Sequence, residues 1–455
     1  MKSARVLLLP LLVVAACSDD PSATTPPASD AGIPSPDGSA TTDTCSATSG
    51  AGTTHDANVE ANETWTAAGS PHVVTSTIGV RNGATLTIEP CAEVRFAASK
   101  SLNVADVPAD TTGALIAEGT ANKPIRFVGD GGARWGHVSV RAPNGKATLR
   151  YVTLEGGGGD AETLNASLFV RGPGEWPSRR DVLVDHVTIE GSQGYGAVVD
   201  RAAAFADAST ELVIEGAGDF PIRIGEGAIH TLPKGRYAGA TNEILVFEDA
   251  VIPGSGLREN ATMKDLGVPY RIGQGTNKQM RVEGATLTIE PGVTLRFEKN
   301  AGFEVHHQNE DADAQAAIIA TGTADKPIVF TSASATPAAG DWVGLWFGGR
   351  PRGENKLDHV RIDYAGGDCL CGLKTCSDIA EHDAAVRMAY APSPGFAITN
   401  SVIANSARHG INRGWQGSSA QSFKDTNTFT AIAECEQTLP VPENGTCPDP
   451  KPACE

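Results

Sequence analysis

The hexapeptide Thr85-Leu86-Thr87-Ile88-Glu89-Pro90 returns unchanged as Thr286-Leu287-Thr288-Ile289-Glu290-Pro291. Leu86 and Ile88 alternate with polar neighbours, which is the period of a strand with one buried face, and the proline ends each strand at once. A short apolar alternation follows in both copies, Glu93-Val94-Arg95-Phe96 and Thr294-Leu295-Arg296-Phe297. The likeness runs further. ALIAEGTANKPIRF at 114–127 pairs with AIIATGTADKPIVF at 317–330, and Trp135-Gly136-His137-Val138 pairs with Trp342-Val343-Gly344-Leu345. A duplication of this length, built from short strands and tight Gly, Asn or Pro corners, predicts a solenoid. Rungs of roughly 20 to 30 residues would stack strands in parallel at about 4.8 Å per rung.

A second frame recurs at Leu149-x-Tyr151-Val152-x-Leu154, Val184-x-His186-Val187-x-Ile189, Leu357-x-His359-Val360-x-Ile362 and Ile398-x-Asn400-Ser401-x-Ile403. It resembles the corner of right-handed parallel β-helices, where Asn often takes a left-handed bend. Together with the LTIEP, ALIAxGT and DWxG strings, the chain resembles bacterial right-handed β-helix repeat proteins from about residue 60 to 430. The resemblance implies an all-β, right-handed parallel β-helix and leaves function open, because such helices host lyases, hydrolases, adhesins and structural shafts. Two similar halves, about 60–200 and 270–430, meet in a middle segment that reads as a seam in one continuous helix or as the joint between two stacked ones. The Cys- and Pro-rich tail, 435–455, is expected to cover the last rung.

The two ends speak of location. Lys2 and Arg5, the apolar run Val6 to Val14 and then Ala15-Ala16 form an export signal, too short to span a bilayer permanently. Val14-Ala15-Ala16-Cys17 looks like a bacterial lipobox, which implies lipidation at Cys17, anchorage to the outer membrane and exposure at the cell surface. Residues 18–44 hold almost no large apolar side chain and read as a disordered tether, so the folded part spans 45–434 before the tail. A formal net charge of −18 argues against nucleic acid and anionic lipid as partners, while calcium would be tolerated. The chain is expected to be monomeric.

Beyond Cys17, an even set remains: Cys45, Cys91, Cys369, Cys371, Cys376, Cys435, Cys447 and Cys454. In an exported chain these predict disulfides, with Cys45 to Cys91 a plausible staple of the entry segment; a thiolate metal site is the competing reading of the late cluster.

Chemistry is harder to place. His186 and His359 share the corner frame and read as turn residues, and Trp135 and Trp342 recur at one place and read as packing. Arg408-His409-Gly410 falls on an ordinary rung position. Trp346 alternates with Leu345 and Phe347 and so faces outward, where the first copy has Ser139; an outward indole is a platform for sugar stacking or lies under the loop 348–356. Asp341, Arg361 and Asp363 are nearby positions able to hydrogen-bond hydroxyls. Asn309, Glu310, Asp311 and Asp313 carry oxygen donors suited to calcium, or form a solvated acidic loop; no cofactor is required by the pattern. The expectation is a non-enzymatic binding or structural module, for a polysaccharide or a surface protein and foremost for carbohydrate. The alternative is a polysaccharide lyase or glycoside hydrolase, which would show an outward stripe of carboxylates with Arg, Lys or His in adjacent rungs.

Overall fold

A computed structural model describes residues 44–45, 50–105, 111–175, 177–248, 256–274, 279–306, 315–368, 382–414, 421–440 and 452–455. Cys17, residues 18–43 of the expected tether, the calcium-type residues 309–313 and Cys369, Cys371, Cys376 and Cys447 lie outside them. Among the described residues every pair of strands is parallel, each strand bonding to the one a rung away. This is a parallel β-helix. In the first copy a rung has three faces, exemplified by Ala84–Ile88, Glu93–Phe96 and Leu102–Val104. The second copy repeats them as Thr286–Ile289, Thr294–Phe297 and Gly302–Val305.

The core follows from the alternation. Ile88 pairs with Trp65 and Ala117, and Ala117 with Leu149, so that each inward side chain lies over its counterpart. Phe96 stacks on Trp135 at 4.7 Å between ring centroids, and Phe297 on Trp342 at 4.1 Å. Each indole also donates to a main-chain carbonyl at 2.7 Å, Glu155 in one copy and Asp363 in the other. The expected packing role of both tryptophans is thus met, with the buried N–H paired.

The corners obey the frame. Tyr151, His186, His359 and Asn400 all have left-handed backbones, with φ of 48°, 54°, 52° and 50°. At Tyr151 and His186 the strands Gly145–Glu155 and Arg179–Glu190 bend from the first face to the second without a break, and the two rings stack at 4.5 Å. Cys91 takes φ 70° where the second copy has Gly292 at 94°. Left-handed backbone costs a non-glycine residue about 1–2 kcal/mol, and the expected Cys45–Cys91 disulfide holds the residue there. A second disulfide, Cys435–Cys454, fastens the tail, in which Gln437 bridges in parallel to Ile411 of the last rung.

The middle segment turns the helix by one face. Ile244–Phe247, a third-face strand of the first half, pairs with Tyr270–Gln274, a second-face strand of the second half. One sheet of 13 strands therefore runs through the seam, and equivalent positions of the two copies point in different directions. On the first face at the seam a 3₁₀ segment, Glu226–Thr231, takes the place of a strand.

Candidate binding cleft

The third face of the first copy presents its outward side chains in a ladder: Asn103 beside Ser139, Ser139 beside Phe169 and Phe169 beside Val198. Asn103, Ser139 and Phe169 line a cleft of about 170 Å³, which is completed by His137, Arg141, Arg171 and the segment from Asp160 to Thr163. Phe169 is backed by Ala166, Val198 and Tyr195, a small apolar cluster outside the tube, and the Arg171 guanidinium sits 5.1 Å from its ring centre.

Hydrogen bonds fix the polar wall. The Ser139 hydroxyl donates to Asn103 Oδ1 at 2.9 Å, and His137 Nε2 lies 3.0 Å from the same oxygen. With that acceptor shared, the ring donates through Nε2 and leaves Nδ1 facing the hydroxyls of Ser101 and Thr163, each at 3.3 Å. Asp160 Oδ2 stands 3.4 Å from Nδ1. Asp160 itself is placed by capping the 3₁₀ turn Ala161–Thr163, its side chain accepting from the Glu162 N–H. Hydroxyl, amide, imidazole, carboxylate and guanidinium groups thus converge on a preformed concavity whose supports are strands, the kind of surface that binds hydroxyl-rich ligands.

The equivalent place in the second copy is filled. Glu304 pairs beside Trp346 and Trp346 beside Arg387, matching Asn103 and Ser139. Trp346 does leave the tube on its outward side, but it is only 7% exposed, with a cavity of about 10 Å³ between it, Asp383 and Arg387. That is at most the space of a single water. Of the two expectations for this indole, the exposed stacking platform is corrected here, because the side chain is almost wholly buried. Nor do the residues proposed beside it gather around it. Asp341 closes its own turn, accepting from Ser332 at 2.6 Å and Ala338 N–H at 3.0 Å. Arg361 and Asp363 pair with each other on the neighbouring 13-stranded sheet, and Asp363 is buried. His409 is buried in the rung and accepts from the Cys435 N–H.

A second constellation escaped the sequence reading. Arg180, Asp207, His230 and Glu259 come from consecutive rungs around the seam, 27, 23 and 29 residues apart. Arg180 holds Asp207 at 2.7 and 2.8 Å, Glu259 at 2.7 Å and the His230 Nε2 at 3.1 Å. Burial, with Arg180 and Lys264 nearby, lowers the His230 pKa against the pull of Glu259 and Asp207, so the ring is neutral at pH 7. Its Nδ1 is buried and makes no hydrogen bond. The only signal in the sequence was spacing near one rung length. Among the described residues no group of three or more His, Cys, Asp or Glu side chains is arranged to hold a metal ion.

Residues 268–369 match the family model of a pectate-lyase-like β-helix domain. No curated protein and no solved structure matches the chain. With the parallel sheets, this match defines the chain as a parallel β-helix repeat protein.

Proposed function

We propose that this β-helix is a saccharide-binding module, carried on a lipid anchor at Cys17 and presented at the outer face of the outer membrane. The observation that carries the reading is the cleft at Asn103, Ser139 and His137, open in one copy and filled by an indole at the equivalent place in the other. The contrast supplies the test. Ser139→Trp puts into the cleft the residue that the second copy carries and is expected to abolish glycan binding. Asn103→Ala removes one acceptor from the network and should weaken binding about tenfold, the value of roughly one well-placed hydrogen bond. Both are read by titration calorimetry on a glycan chosen from an array, with melting curves as the control for folding. An array without a single bound saccharide, or unchanged affinity in the Ser139 variant, would sink the proposal.

The anchor has its own test. Cys17→Ser should lose labelling with a palmitate analogue and pass from the membrane to the soluble fraction, because acyl chains contribute about 0.8 kcal/mol per buried methylene. A variant that sediments with membranes as before would remove the anchor from the proposal.

A second reading, lyase or glycoside hydrolase, is favoured by the Arg180–Asp207–His230–Glu259 network, which is a stripe of carboxylates with Arg and His in adjacent rungs. Chain cleavage of the bound glycan that disappears in His230→Asn would put this reading first.

A further inference from the structure

We propose that the cleft selects an amphoteric saccharide, one that carries both a carboxylate and an ammonium group; the inference rests on the saccharide-binding reading above. The lining charges are segregated along the strands. Arg141 and Arg171 stand at the C-terminal ends of Val138–Arg141 and Leu168–Arg171 and are directly in register on adjacent rungs. Like charges opposed in this way repel. Asp200 follows in register on the next rung, 3.5 Å from Arg171 Nε. The Arg171 side chain as a whole remains 32% exposed and lines the cleft, within reach of an anionic oxygen that enters it.

The opposite end is acidic. His137 precedes the strand, with Asp160 beside it and Glu162 exposed at the rim. Four residue steps of extended chain lead from His137 to Arg141, about 13 Å at ~3.3 Å per residue. The charged side chains that line the cleft are segregated, Arg141 and Arg171 at one end and Asp160 and Glu162 at the other, so the two ends differ in charge on a low-dielectric sheet. A neutral glycan would answer neither end. A polyanion would meet the carboxylates of Asp160 and Glu162, and a polycation would meet the guanidiniums. A ligand with both charges answers both ends, and specificity of this sort arises as much from repulsion of the wrong ligand as from attraction of the right one.

The experiment compares four probes on the full chain by calorimetry: a neutral cello-oligosaccharide, an oligogalacturonate, a chitosan oligosaccharide with free amines, and a disaccharide of glucosamine and muramic acid. The amphoteric disaccharide is expected to bind at least tenfold more tightly than each of the others. Arg171→Gln should erase its advantage over the chitosan oligomer, and Glu162→Gln its advantage over the oligogalacturonate, with melting temperatures unchanged because both side chains are partly or fully exposed. Affinities that are equal for neutral and amphoteric probes would overturn the inference and leave saccharide binding intact. No binding of any saccharide, here or on the array, would overturn both.

Discussion

Ile289→Asp is expected to cost about 4 kcal/mol or more, the range reached when an unpaired charge is buried in a core. Ile289 is 1% exposed and lies between Met263 on one rung and Ala320 on the next, so a carboxylate there has neither water nor a donor and must take up a proton or open the rung. Thr288→Asp is the control. Its side chain points out of the same strand and is half-buried, so the change should cost at most about 1 kcal/mol, the span of strand preferences. Ile88→Asp and Thr87→Asp repeat the comparison in the first copy, where Ile88 lies between Trp65 and Ala117. Denaturant melts of the four variants decide the matter. Equal losses within either pair would contradict the inward and outward alternation on which the helix depends.

That alternation is what made the fold legible. A period of two with one buried face can be read from Leu86 and Ile88 alone, and the duplication shows that the same strand recurs. The corner frame was legible for a different reason: Tyr151, His186, His359 and Asn400 have little in common chemically, but all sit between apolar residues that must point inward on either side of a bend, and all are left-handed. The seam was not legible. Repeats give the order of strands inside a copy, yet aliphatic strands pair with one another almost regardless of partner, so nothing in the sequence says that Ile244–Phe247 continues into Tyr270–Gln274 and turns the second half by one face.

The site was legible in part. Alternation placed Trp346 on the outside of the tube correctly, but outside is not exposed when Glu304 and Arg387 flank the indole on the same face. The position matched to it, Ser139, opens the cleft for the simple reason that its side chain is small. His137 and Asp160 could not be joined from sequence, because they stand 23 positions apart and the contact depends on the 3₁₀ turn that Asp160 caps. The calcium-type residues Asn309, Glu310, Asp311 and Asp313 fall outside the described residues.

The rotated seam holds the second large effect. Arg281→Met should destabilise the protein by about 3–5 kcal/mol, the usual cost of removing one partner from buried ion pairs. Its guanidinium pairs with Glu304 at 2.9 Å and Glu248 at 3.2 Å, and both carboxylates are buried. A third carboxylate, Glu226, comes from the 3₁₀ segment and is 1% exposed. Its Oε2 accepts the main-chain N–H of Arg281 at 2.9 Å, while Oε1 is buried with no partner. Burial above all, with Glu248 and Glu304 adding and Arg281 opposing, lifts the Glu226 pKa well above the ordinary carboxylate value of 4.5. The sign of the pH dependence follows. A carboxyl whose folded pKa is raised stabilises the fold while protonated, and this contribution is lost as pH rises from the unfolded value through the folded one. Glu226→Gln is neutral throughout. It should therefore match the wild type near pH 4.5 and melt above it at about pH 8. Parallel melting curves for the two proteins across this range would show that Glu226 does not govern the seam. In the Arg281→Met background, adding Glu304→Gln should restore part of the lost stability, because the penalty there is a carboxylate deprived of its guanidinium. If the double variant is no more stable than the single one, the loss lies instead in the packing of the arginine stem over the rung.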